Sequence, residues 1–108
     1  AEFEMNYTMY YPATINDGGM TEVVRGVAEG LVGAGRVDTE VQTLGGEDMS
    51  YFLNEVPGCF FFLGCRNEKR GIVAPHHSNR FDIDEEALPL GVEMLVRTVE
   101  RSLQPAKT

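Results

Sequence analysis

Positive charge is scarce in this chain. Nine Lys and Arg stand against seventeen Asp and Glu, a net charge of -8, and the nine are scattered. No basic stripe is present to hold nucleic acid or an anionic membrane surface. Long hydrophobic runs are lacking too. The longest, Cys59 to Leu63, is far too short to span a bilayer. The opening Ala1-Glu2-Phe3-Glu4 does not read as a basic-then-apolar leader, so no signal peptide is expected. Cysteine is limited to Cys59 and Cys65. An extended strand holds positions six apart at roughly 20 Å, too far for a disulfide without a sharp reversal. Two free thiols in an acidic chain are expected of a cytoplasmic protein. Compact metal and phosphate motifs are also missing. There is no His-x-x-x-His, no Cys-x-x-Cys, and no Lys beside Gly45-Gly46 to make a phosphate loop.

What is there is ordinary for a globular domain. Hydrophobic residues make up 43% and charged residues 24% of 108 residues, which predicts one domain with a modest core. Phe3, Met5, Tyr7 and Met9 alternate with Glu2, Glu4, Asn6 and Thr8, predicting a half-buried strand that ends at Tyr11-Pro12. Asn16 or Asp17 should cap a helix that carries Met20, Val23, Val24, Val27, Leu31 and Val32 and stops at Gly33. Val37 to Thr43 reads as a short strand. Glu47-Asp48 open a second helix, where carboxylates suit the positive end of the dipole, and Val56-Pro57-Gly58 close it. Cys59 to Gly64 is apolar at every position, predicting a strand buried on both faces. A polar loop follows over 65–80. Asp82 to Asp84 should then cap a last helix whose buried stripe is Leu88, Val92, Leu95, Val99 and Leu103, with Pro89 tolerated near its start. The tail from Pro105 should fray. Strands alternating with helices predict an α/β fold, a layered sheet covered by helices. The half-wet first strand and the dry last one point to two different sheets.

Sites in open α/β sheets lie beyond the carboxyl ends of the strands. That directs attention to the loop after Leu63, which holds His76 and His77 beside Asp82, Asp84, Glu85 and Glu86. Imidazole is the commonest metal ligand, yet a solvated loop next to a helix cap accounts for the same residues. Glu47 and Asp48 are a second candidate at the same edge, and dipole compensation alone explains them. A hydrolytic zinc site needs about three protein ligands and a water, so these residues make part of a site at most.

Four segments resemble a known family. Tyr11-Pro12-Ala13-Thr14-Ile15-Asn16-Asp17 is similar to a Pro-x-x-x-Asn-Asp segment of the metallo-amidohydrolase and carboxypeptidase family, which includes hippurate hydrolase, N-acyl-amino-acid amidohydrolases and auxin-conjugate hydrolases. Gly45-Gly46-Glu47-Asp48-Met49-Ser50 resembles its Gly-x-Glu-Asp-Phe-Ser segment. Val56-Pro57-Gly58 followed by Cys59 to Gly64 matches its Val-Pro-Gly strand. His77-Ser78-Asn79-Arg80-Phe81-Asp82-Ile83-Asp84-Glu85-Glu86-Ala87-Leu88-Pro89-Leu90-Gly91 is similar to its closing signature. The segments keep the family's order and cover nearly the whole chain.

The resemblance implies a larger two-domain parent, a metal-dependent hydrolase cleaving the amide bond of N-acyl amino acids or short peptides with two divalent ions, zinc or manganese. Residues 1–16 would be the last strand of a lid, or dimerisation, domain and its linker. Residues 17–108 would be the C-terminal part of the catalytic α/β domain. His77 would be a metal ligand, with His76 one place too early. No catalytic residue falls within the chain, because the water-activating Glu and the other ligands belong to the N-terminal part. Glu47 and Asp48 would lie in the substrate's vicinity. The expected partners are that N-terminal part, the small substrate and a second copy of the protein. The isolated chain is expected to be inactive and to bind metal weakly if at all. Asn79 stands where the family has Pro, and an Asn side chain can hold a turn. The competing expectation is a non-catalytic binding or assembly module with the same fold.

Overall fold

The computed structural model describes residues 1–104; the tail from Pro105, expected to fray, lies outside them. Three helices follow in order, α1 (Gly18–Val32), α2 (Met49–Glu55) and α3 (Ala87–Ser102), with short 3-10 turns at Ala34–Arg36 and Glu68–Arg70. Helix α1 begins as predicted. Asp17 sits in extended conformation, and its carboxylate accepts the Met20 N–H at 2.8 Å, satisfying one donor that the helix leaves unpaired. It ends at Gly33, whose φ of +85° a side chain would resist. Val24, 7% exposed, is its buried residue.

Asn16 does not cap the helix; it joins two segments. Its Nδ2–H donates to Phe60 O and its Oδ1 accepts Phe60 N–H, both at 2.8 Å. Asp17 N–H adds a bond to Gly58 O at 2.9 Å. An amide side chain offers the same donor and acceptor as a peptide unit, so Asn16 pairs with the extended 58–60 segment as a neighbouring strand would.

The layered sheet is not formed among the described residues. No strand occurs over 2–11, 37–43 or 59–64; the only β pairing described is an isolated antiparallel bridge between Asn67 and Ile72. Phe3, Met5, Tyr7 and Met9, expected half-buried, are 75–89% exposed. Period two sets which side chains share a face, but a strand exists only through a ladder of bonds to a neighbour, and no described segment supplies one. The 59–64 run is only partly covered: Cys59, Phe60, Phe61 and Leu63 are half-buried while Phe62 is exposed.

Helix α3 packs on α1, but not through the predicted stripe. Leu88, Val92, Leu95, Val99 and Leu103 are all exposed. The covered face is Ala87, Leu90, Gly91, Met94 and Thr98, with Met94 only 4% exposed. Two overlapping apolar faces run along this helix. Gly91 helps select the inner one, because a Cβ there would stand 3.0 Å from Leu63 Cδ2. The outer stripe has no cover among the described residues. Val24 and Met94 are the only buried apolar side chains described. The radius of gyration is 17.6 Å, against about 13 Å for a compact domain of this length.

Replacing Asn16 by Ala removes both bonds to Phe60. At about 1 kcal/mol each, their loss should speed hydrogen exchange at the Phe60 amide by about tenfold or more while leaving the α1 amides from Val23 onward nearly unchanged, as NMR would read it.

Candidate functional site: the histidine loop between residues 65 and 84

The polar loop is tied at its base. Asp84 N–H donates to Cys65 O at 2.8 Å, closing residues 66–83 into one excursion. Inside it, Asn67 and Ile72 exchange two backbone bonds of 2.9 Å. Gly71, at φ +72°, makes the reversal between them. The Asp84 carboxylate accepts Asn67 Nδ2–H and Arg70 Nη1–H, both at 2.6 Å, and the Glu86 amide at 3.4 Å. Its side chain is 13% exposed. The Asn67 hydrogen bond holds the carboxyl below the usual aspartate range; partial burial opposes it, and the Glu86 amide and the Arg70 charge add to the lowering.

At the far end of the loop two tight turns follow each other. Ser78 N–H reaches Pro75 O at 3.2 Å, and His77 in the third position has φ +63°. An i to i+3 bond with positive φ at the third residue is the pattern of a type II turn, a place for Gly or Asn. His77 is the one described non-glycine residue with positive φ, a conformation that costs roughly 1 kcal/mol or more and clusters at functional sites. The second turn is held by Ser78, whose carbonyl accepts Phe81 N–H at 3.0 Å and whose hydroxyl accepts Arg80 N–H at 3.1 Å. Ser78 therefore does what was expected of the Asn79 side chain. The His76 ring lies between two others, with centroids 5.0 Å from His77 and 4.8 Å from Phe81. Both histidines are exposed.

Glu47 and Asp48 open α2, as predicted, but only one of them caps it. The Glu47 carboxylate accepts Met49 N–H at 3.2 Å and its carbonyl accepts the hydroxyl of fully buried Ser50 at 2.6 Å; Asp48 makes no side-chain cap. This end of α2 also docks the N-terminal segment. Tyr51 Oη–H donates to Tyr10 O, and the Tyr11 and Tyr51 rings meet edge to face at 5.9 Å. A Cβ on Gly46 would stand 2.9 Å from the Tyr11 ring.

Among the described residues no three His, Cys, Asp or Glu side chains converge on a point that could hold a metal ion. The exposed imidazole of His77 fits one arm of a divalent centre, not a whole one. An open hollow of about 430 Å³ between α1 and α3 is lined by Glu22, Val23, Gly26, Val27 and Arg101 and does not include either histidine. Both thiols are free. Burial pushes the Cys59 thiol up, with a hydrogen bond to Thr21 pulling the other way.

The model of peptidase family M20/M25/M40 matches residues 1–101. The chain belongs to this family. Its members are hydrolases, generally metal-dependent. "Thermostable carboxypeptidase 1" of Saccharolobus solfataricus is 44% identical over 81 residues, covering 75% of this chain and 20% of that protein. An IAA-amino acid hydrolase of Arabidopsis thaliana is 35% identical over 101 residues, covering 94% of the chain and 22% of its own length. A second from the same plant is 30% identical over 98 residues, covering 91% and 22%. The chain thus spans about a fifth of the length of these relatives. No solved structure matches it. No helix among the described residues is long and apolar enough to cross a membrane.

The residues at the loop base were not legible beforehand. Asn67 and Arg70 lie in a hairpin that no local pattern announces, and the sequence offers Asp84 as a candidate beside the histidines or as part of a helix cap, with no sign of these two partners. Because the Asp84 carboxyl has a lower pKa folded than unfolded, its contribution to stability is fully present above the unfolded value of about 3.9 and is lost as pH falls through the folded value. Acid unfolding of Asp84→Asn should therefore show a shallower slope below about pH 4 than the parent chain, read by circular dichroism. Cys59 should alkylate more slowly at pH 7 than an unhindered cysteine, because less of it is thiolate, read by mass spectrometry.

Proposed function

We propose that the chain is the C-terminal part of a metal-dependent amidohydrolase in which His77 supplies one metal ligand. The observation that carries this is the coincidence of two independent features at one residue. His77 occupies the histidine of the closing family signature, and it is also the described non-glycine residue held at positive φ. A strained backbone is kept where the surroundings over-determine it and a function uses it.

Two divalent ions, zinc or manganese, would supply a Lewis acid for the scissile carbonyl and a means of ionising water near neutral pH. The part of this chain is narrower. His77 offers one ring nitrogen, and the turn over 75–78 aims it. Glu47 is engaged at the head of α2, so it and Asp48 would border the substrate rather than act on it. The water-activating Glu and the other ligands would come from the N-terminal part of the protein. The same part would cover the outer stripe of α3 and pair with residues 1–16 as the lid's last strand, with 17–108 completing the catalytic domain. Pairing of lid strands between copies would give a homo-oligomer, and the acidic chain with two free thiols suits the cytoplasm. The relatives' names, a carboxypeptidase and IAA-amino acid hydrolases, describe cleavage beside an amino acid, which supports N-acyl amino acids or short peptides as substrates.

In the full-length protein, His77→Ala should lower metal content and amide hydrolysis together, by more than the roughly 10–100-fold usual for partners one shell out. Metal stoichiometry by atomic absorption and turnover of an N-acyl amino acid check this; unchanged stoichiometry overturns it.

A further inference from the structure

We propose that Asp84 is a positioning residue for His77, acting as the clasp that fixes the loop on which His77 is carried. The inference rests on the reading of His77 given above and adds a residue to it.

Residues 66–83 carry only the Glu68–Arg70 3-10 turn and the Asn67–Ile72 bridge, and loops longer than about 12–15 residues with so little structure of their own are uncommon in domains. Such a loop needs an anchor, and apolar burial supplies little of it, since Ile72, Ala74 and Ile83 are only half-buried. His76 and His77 are exposed, and no residue between 66 and 83 is fully buried. The anchor is polar and converges on one residue. The Asp84 amide closes the base on Cys65 O. One carboxylate oxygen takes Asn67 from the hairpin, and the other takes Arg70 at the hairpin tip and the Glu86 amide at the entrance to α3. The hairpin and the helix start are thus referred to one carboxylate, and the incoming limb to the backbone amide of the same residue. Two of its bonds come from side chains at 2.6 Å, one of them from a cation, and bonds to ionised groups are about twice as strong as neutral ones. From Ile72 only a few residues lead to the turn over 75–78, so the hairpin's placement limits where the His77 ring can stand. On the return limb, Phe81 packs on His76, and Asp84 stands three residues beyond it. A displacement of about 1 Å at a reacting group costs as much as 100-fold in rate, so loosening the clasp should be felt at the metal.

The test uses the full-length protein loaded with metal. Asp84→Asn keeps the shape and the backbone bond but turns an acceptor into a donor that faces Asn67 or Arg70. It should release metal to a chelator about tenfold faster and lower kcat with KM unchanged. Added metal should refill the site, which a general loss of structure would not allow, while kcat stays below that of the parent protein. Arg70→Met removes one arm from a half-exposed position and should shift both readouts in the same direction by less. His77→Ala is run beside them. If His77→Ala loses metal while Asp84→Asn releases it at the parent rate, the clasp is overturned and the His77 ligand stands. If His77→Ala keeps its metal, the ligand reading falls and the clasp falls with it. Should Asp84→Asn fail to fold, parent-rate release from Arg70→Met overturns the clasp.

Discussion

The pairing of α1 with α3 is the constraint on which the rest of the described structure depends. Each helix contributes one of the two buried apolar side chains described, Val24 and Met94, and the 58–65 segment and the histidine loop are placed by polar bonds to the ends of this pair. Asp17, at the head of α1, reaches Gly58. Asn16 beside it grips Phe60. Asp84, just ahead of α3, grips Cys65, Asn67 and Arg70. The two helix starts thus hold the two ends of the 58–65 segment, and the histidine loop springs from the second of them.

This arrangement explains why a chain with so little interior can still present a defined loop. Hydrogen bonds fix direction and distance more narrowly than apolar contacts do, and those at the loop base involve an ionised carboxylate. The positive φ of His77 fits the same logic, since a residue is kept in a costly conformation only where its neighbours leave it no other. The uncovered outer stripe of α3 and the exposed alternating residues 3–9 are the converse. They are patterned for burial and have no cover among the described residues.

Local chemistry made the helices legible. Asp17 as cap, Gly33 as stop, and Glu47 ahead of α2 could be read because each acts on groups within about one turn of itself. The strands could not be confirmed in the same way. Phe3, Met5, Tyr7 and Met9 carry a strand's period, but a ladder needs a second segment in register, and the described chain has none for them. The α3 stripe was misassigned for a related reason. Leu88, Val92 and Leu95 recur at helical spacing, and so do Leu90, Gly91 and Met94; spacing cannot say which face meets α1. The tertiary structure turns the Leu90, Gly91 and Met94 face inward, with Leu63 packed close to Gly91 on that side.

The family and the ends of α1 and α2 were therefore set by the order of residues alone, because motifs and caps are local; the start of α3 was not, since it falls at Ala87 after an uncapped Glu86 rather than behind an Asp82–Asp84 cap. The left-handed turn under His77, the Asn16 pairing with Phe60 and the convergence of Asn67 and Arg70 on Asp84 were decided only in three dimensions. Each joins groups through a side chain whose partner is set by packing, and Asn16 and Phe60 lie forty-four residues apart. Sequence spacing carries no information about contacts of that kind until the helices have brought the segments together.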